Sequence, residues 1–437
     1  MKLKLLSGTV IASLSLAGNA FADITLTADQ QAQLTALQNQ VNQLESSLNN
    51  QSPANGMVML DTSNPFGEMP DTSFALSVLQ SRRSFNKPLV FGGYVEADIQ
   101  AWGKDKLAAT TPDGKTVDYQ NGTSVFLTTA KLYALANMDD WASTFLSLQG
   151  QTNAYNSTTF DQAFVTIGNL NKNPLYLMIG KTYLPFGNFE GNGPWSNSIT
   201  TNAFRMSQTN QIDLGFFQNG LNLTLALANP GSSDGPPSSN SSSATTYGQN
   251  LSDLVYNLNY ANTYNNFSYS IGASYISDIR GMKSNIGQAY GGSTGFTGSK
   301  NGAYDINGSI GYNDLTLMAE YAATTKSATN LNGTSTGIMS SWMTTLNYAP
   351  TLWGQTTIFS IGYSASQNMQ NVPYSLSAAY HQGPPLTTFS ESFKNQWIAF
   401  IQRPIYTNVF VSPEFDYAKT YNGLHTWTTT IDISAYF

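Results

Sequence analysis

The chain has 437 residues, room for a few soluble domains or one large barrel. It contains no cysteine, which excludes disulfides and thiolate metal sites. Charged residues make up 10% of it, against about 25% in soluble proteins, and 19 basic against 26 acidic side chains argue against nucleic acid as a partner.

Glycine (36), tyrosine (24) and phenylalanine (23) are plentiful. No run approaches the roughly 18–20 apolar residues of a membrane-spanning helix. Low charge and high aromatic content without such a run suit a membrane β-barrel, in which half of each strand faces lipid. Residues 1–22 read as a secretory signal peptide. Lys2 and Lys4 precede an apolar core over 5–16, and Ala20-Phe21-Ala22 stands before Asp23. Over 23–51, Leu34, Leu37, Val41, Leu44 and Leu48 repeat at alternating spacings of three and four, a short heptad seam. Thr27 and Gln30 form a capping box at its start. A helix this short is marginal alone, but copies tethered elsewhere would associate through it. The expectation is a periplasmic coiled coil; one amphipathic helix resting on the barrel mouth is the alternative. Residues 52–89 read as a linker with Pro53, Gly56, Pro65 and Pro70. The apolar patch Phe74, Leu76, Val78 and Leu79 within it predicts one helical turn or two, or else a small plug in the periplasmic mouth.

From 90 to 437 the hydrophobic period is two. Tyr304, Ile306, Gly308, Ile310 and Tyr312 alternate with Asp305, Asn307, Ser309 and Gly311, and Leu315, Leu317, Ala319 and Tyr321 with Thr316, Met318 and Glu320. Tyrosines flanking aliphatic middles match the aromatic girdles of a barrel at its two lipid interfaces. The pattern predicts about sixteen strands, with fourteen or eighteen as the alternatives, near 90–102, 122–136, 141–153, 159–169, 174–184, 211–218, 220–229, 250–262, 265–279, 302–312, 314–326, 337–349, 354–366, 394–403, 406–419 and 424–437. Short connections interleave with longer ones, which predicts an antiparallel outer-membrane barrel with short periplasmic turns and long outside loops. In the last strand Trp427, Thr429, Ile431, Ile433, Ala435 and Phe437 alternate with polar residues. Phe437 resembles the terminal aromatic that the barrel-assembly machinery reads in bacterial outer-membrane proteins.

Catalytic signals are weak, and no enzyme is expected. There are two histidines, His381 in a long loop and His425 at the head of the last strand. The G-x-S-x-G matches at 231–235, 291–295 and 333–337 lie in Gly/Ser-rich loops rather than at a strand–turn–helix elbow. No zinc, calcium or phosphate motif is visible, and no cofactor is expected. In the polar phase of the strands, Glu96, Asp98, Asp253, Asp305, Glu320, Glu414, Asp416 and Asp432 are predicted to point into the lumen, because carboxylates are costly in lipid. Lys131, Lys181 and Lys394 are the positive candidates. Such acids either form a cation-favouring ring or hydrate the pore and hold its shape.

The segment 179–189 (IGKTYLPFGNF) is similar to the strand-to-loop segment of the siderophore porin, or legiobactin-receptor, family, through Gly180, Lys181, Tyr183, Pro185, Phe186 and Gly187. Phosphate-selective porins carry a related segment. The resemblance implies a barrel passing ferric siderophore without a large plug domain, although an acidic lumen suits an anionic siderophore poorly. By position, 185–210, with Glu190, Trp195 and Arg205, resembles the third loop that narrows general porins. Porins are usually trimers, so the coiled coil is expected to join three copies. The expected partners are thus outer-membrane lipid, small solutes or ferric siderophore, and the assembly machinery. A structural or adhesive surface protein anchored by its barrel is the alternative function.

Overall fold

In the last strand the alternation of side chains is also an alternation of environment. Thr428, Thr430, Asp432 and Ser434 are buried, whereas Ile431 and Ile433 are exposed. A soluble sheet would do the reverse. Successive strand residues point to opposite faces, so the polar face lines an interior and the apolar face forms an outer belt suited to lipid. The same inversion recurs around the molecule, with Ile99, Leu132, Leu214, Ile271, Ile310, Leu317, Ile361 and Trp397 on the exposed side.

The computed structural model describes residues 74–81 and 89–437, except 106, 111–115, 120, 152–156, 191–192, 207, 230–250, 252, 281, 283, 291–295, 298–299, 331–332, 371, 373–387, 390–391 and 407. Sixteen antiparallel strands close into one barrel. In chain order they are β1 (Leu89–Lys104), β2 (Gly122–Asn137), β3 (Ala142–Gln151), β4 (Ser157–Gly168), β5 (Leu175–Thr182), β6 (Thr209–Gln218), β7 (Leu221–Ala228) and β8 (Asp253–Tyr264). There follow β9 (Phe267–Ile276), β10 (Ala303–Tyr312), β11 (Leu315–Thr324), β12 (Ser340–Tyr348), β13 (Ile358–Gln367), β14 (Phe393–Tyr406), β15 (Val409–Thr420) and β16 (His425–Tyr436). Each strand pairs with its sequence neighbours, and β1 pairs with β16 in a register that sets Asp98 opposite Asp432. The sixteen predicted strands are therefore present, with ends shifted by a few residues.

The short turns gather at one end. Asn219 and Gly220 both adopt positive φ (50° and 81°), as a two-residue hairpin requires. At closure, the Gly93 N–H donates to the Phe437 carbonyl (2.9 Å) and the Phe437 N–H to the Gly93 carbonyl (3.0 Å). A Cβ on Gly93 would meet the Phe437 ring at 2.7 Å.

Among the described residues, three apolar clusters occupy the inside, two of them around one helix. Near the short turns, helix α1 (Phe74–Ser81) lays Ala75 and Val78 against Tyr133, Leu135, Phe145, Phe164 and Met178. Its Leu76 and Leu79 cover Tyr176, with Leu170 and Phe217 alongside. Near the long loops, Leu184, Phe186, Phe189, Trp195, Ile199 and Phe204 pack with Ile279, Met282, Met339 and Met369. The expected signal peptide, the coiled coil, His381 and two of the three G-x-S-x-G matches lie outside the described residues. The third match, 333–337, lies in a loop between β11 and β12 with Gly333 and Gly337 at positive φ.

Candidate functional site

The lumen takes its character from the inward phase of the strands. All eight predicted acids occupy that phase: Asp98, Asp253, Asp305, Glu320, Glu414 and Asp432 are buried, and Glu96 and Asp416 partly so. Near the β1–β16 seam, Glu96, Asp98 and Asp432 bring carboxylate oxygens within 4.8 Å of one another, and Asp98 accepts a hydrogen bond from Thr128 Oγ1.

Two of the acids hold a loop rather than an open surface. The segment between β5 and β6 leaves the wall and crosses the lumen. Glu320 on β11 accepts the backbone N–H groups of Asn188 (2.8 Å) and Phe189 (2.8 Å). Glu414 on β15 accepts those of Trp195 (2.9 Å) and Ser196 (3.0 Å). A carboxylate receiving two N–H groups makes the stronger, charge-assisted kind of hydrogen bond. Between these anchors and β6 lies α2 (Ile199–Phe204), capped by Ser198, whose Oγ accepts from the Thr201 N–H. Ile199 N–H donates to Ser364 Oγ on β13, and Thr200 Oγ1 meets Ser341 Oγ on β12. Trp195 is buried in the apolar cluster and Arg205 stacks over the Tyr183 ring at 5.9 Å. Glu190 is partly covered and its Oε1 is enclosed. Burial pushes its carboxyl up to about 8, against a hydrogen bond from Asn188 that lowers it.

The segment with Gly180, Lys181, Tyr183, Pro185, Phe186 and Gly187 is the turn that sends this loop inward. Gly180 has φ 145°, and a Cβ there would stand 2.3 Å from the Ala163 carbonyl oxygen. Gly187 has φ 71° and donates its N–H to Ser274 Oγ on β9, while Pro185 and Phe186 are buried.

Two of the positive candidates require correction. Lys181 lies on the outward phase of β5 and donates to the Phe160 carbonyl (3.2 Å). Lys394 is exposed beside a bulge in β14. Lys131 does face inward, paired with Asp161 at 2.9 Å. Asp161 and Asp213 are inward acids that the strand patterns above do not include. A β-bulge at Ser147/Leu148 turns both Asp161 and Gln162 inward, which no period-two reading anticipates. Asp213 had a signal, since Thr209, Gln211 and Asp213 alternate in β6. His425 contacts the Tyr417 hydroxyl through Nδ1.

A family model described as "Protein of unknown function (DUF3573)" matches residues 56–289. A UPF0422 protein of Legionella pneumophila (strain Lens) is 30% identical over 186 residues, 39% of this chain and 33% of the relative. A UPF0422 protein of Coxiella burnetii is 30% identical over 123 residues, 27% and 25% of the two chains. The matched stretch thus spans a third or less of those relatives. Among solved structures, the outer membrane channel DcaP of Acinetobacter baumannii superposes with a TM-score of 0.50 at 11% identity, covering 80% of this chain and 97% of that one. The anion-selective porin from Comamonas acidovorans gives 0.50 at 11% identity, covering 80% and 99%. OprB of Pseudomonas putida gives 0.50 at 11% identity, covering 82% and 96%. Identities this low speak for the fold: a porin-like barrel.

Proposed function

The chain belongs to the family described as protein of unknown function DUF3573, and within it we propose an outer-membrane channel that passes small solutes through a polar lumen narrowed by the loop 185–210. The observation that carries this reading is the combination of a closed barrel, apolar outside and polar inside, with a loop pinned by Glu320 and Glu414. A barrel built only for anchorage has no use for a loop hydrogen-bonded within its interior. The acids on the inner wall favour cations. Ferric siderophore is the solute suggested by the strand-to-loop segment at 179–189. Outer-membrane lipid, the barrel-assembly machinery acting on Phe437, and a homotrimer joined through 23–51 complete the proposal.

Single-channel recording in a planar bilayer tests it. Discrete current steps with cation preference are expected, and block by ferric siderophore would identify the solute class. A correctly folded but silent barrel would instead favour an anchor for surface loops, a reading that the apolar cluster packed around the inserted loop would then support.

A further inference from the structure

The barrel closes by pairing β1 with β16, and the register there sets two acids face to face. Asp98 stands opposite Asp432, with Glu96 one inward step along β1. Like charges directly opposite each other across a strand pair destabilise a sheet. Yet one carboxylate oxygen from each of the three lies within 4.8 Å of the other two. Oxygens that share a Ca2+ ion, each about 2.3–2.6 Å from it, stand no farther apart than about 5 Å. Two further observations point to a ligand. Asp98 has no accessible surface; its Oδ2 accepts from Thr128 Oγ1, and its Oδ1 is enclosed without a hydrogen-bond partner. Ser412 on β15, paired with Asp432 on the other side, is also fully buried, and its Oγ is likewise enclosed without a partner. Enclosed polar atoms of this kind are costly. Among the described residues, the inward phase of β1 from Tyr94 to Trp102, of β15 from Phe410 to Asp416 and of β16 from Thr428 to Tyr436 contains no lysine, arginine or histidine. On β2 the inward Lys131 is already held by Asp161 at 2.9 Å.

We propose that Glu96, Asp98 and Asp432 bind one hard divalent cation, Ca2+, across the closing seam of the barrel. Each would supply one carboxylate oxygen, with the Ser412 hydroxyl beside them and water completing the shell. The group offers oxygen alone, which selects hard cations over zinc or copper. Ca2+ accepts oxygens in irregular positions, whereas Mg2+ demands a regular octahedron. The ion would turn the repulsion between Asp98 and Asp432 into a shared attraction. It would thereby tie the first strand of the barrel to the last. This site does not depend on whether the barrel conducts.

The test uses full-length protein in detergent, freed of lipid, stripped with EDTA, dialysed and titrated with CaCl2 by isothermal calorimetry. Thermal unfolding is followed in parallel. One Ca2+ per chain and a raised melting temperature are expected. Asp98→Asn combined with Asp432→Asn should weaken binding on the order of tenfold or more, because the charge of the ligands sets Ca2+ affinity. Asp213→Asn, at an inward acid on β6 outside this cluster, should leave it unchanged. No binding by the wild-type chain, equal affinity in the double variant, or an equal loss in Asp213→Asn overturns the proposal. Should the double variant fail to fold, Glu96→Gln alone, whose amide fits the same space, decides by the same readouts.

Discussion

At the scale of single residues, burial decides what each carboxylate does. Glu190 has its pKa raised from 4.5 to about 8 by burial. The folded protein therefore retains a proton there that the unfolded chain loses above its ordinary value. The stabilisation is complete below about pH 4.5 and is lost as pH rises through about 8. Glu190→Gln should flatten the pH dependence of unfolding across this window by on the order of a few kcal/mol at most. Identical slopes in the two proteins would mean that Glu190 is solvated. Glu414 plays another part. Replacing it with alanine orphans the Trp195 and Ser196 N–H groups, each hydrogen bond to a charged group contributing roughly 1.5–3 kcal/mol. The denaturation midpoint should fall while the barrel still forms; an unchanged midpoint would mean that the loop is held by its apolar side chains alone. That these acids face inward was legible in the strand phase, because lipid rejects charge. That two of them grip a loop was not, because Glu320 and Asn188 lie 132 residues apart and only the closed barrel joins them.

Among the elements, the strands were the most legible, since lipid outside and polar groups inside impose a strict period of two on every stave. Where the backbone breaks that period the reading failed, as at the bulge that turns Asp161 inward and the one beside Lys394. Helix α1 shows a different limit. Its apolar residues were visible, but nothing local distinguishes a connector from a seated helix, because the surface it covers comes from β2, β3, β4 and β5. The absence of native cysteine makes this seat measurable. A cysteine at Ser77, which is 2% exposed, should resist maleimide in the otherwise wild-type chain. It should react readily once Leu76 becomes aspartate, since burying an unpaired charge against Tyr176 is unfavourable. Rapid labelling in both would show that the helix does not rest there. The closing seam gives a second test. Gly93→Val places side-chain atoms against the Lys131 carbonyl oxygen on β2 and where the Phe437 ring lies, so the yield of heat-modifiable, folded barrel should drop. Full yield would mean that the β2 backbone and the ring can both give way without loss of the β1–β16 pairing.

In the whole molecule, two elements sit inside the barrel, one toward each end. Helix α1 packs on the inner wall toward the short turns, and the inserted loop with α2 lies toward the long loops. Neither was predictable in detail, since each depends on side chains brought together by sixteen strands. On the proposed channel reading the arrangement has an electrical consequence. Resistances in series add, so the tighter segment limits the current whatever happens to the other. Loosening the loop with Glu414→Ala, or unseating α1 with Leu76→Asp, should each change single-channel conductance modestly. Both together should raise it by more than the sum of the two single effects, because only then do both segments widen. Additive increases would mean two parallel paths instead of one. A full increase from either variant alone would mean that the other segment never restricted the lumen.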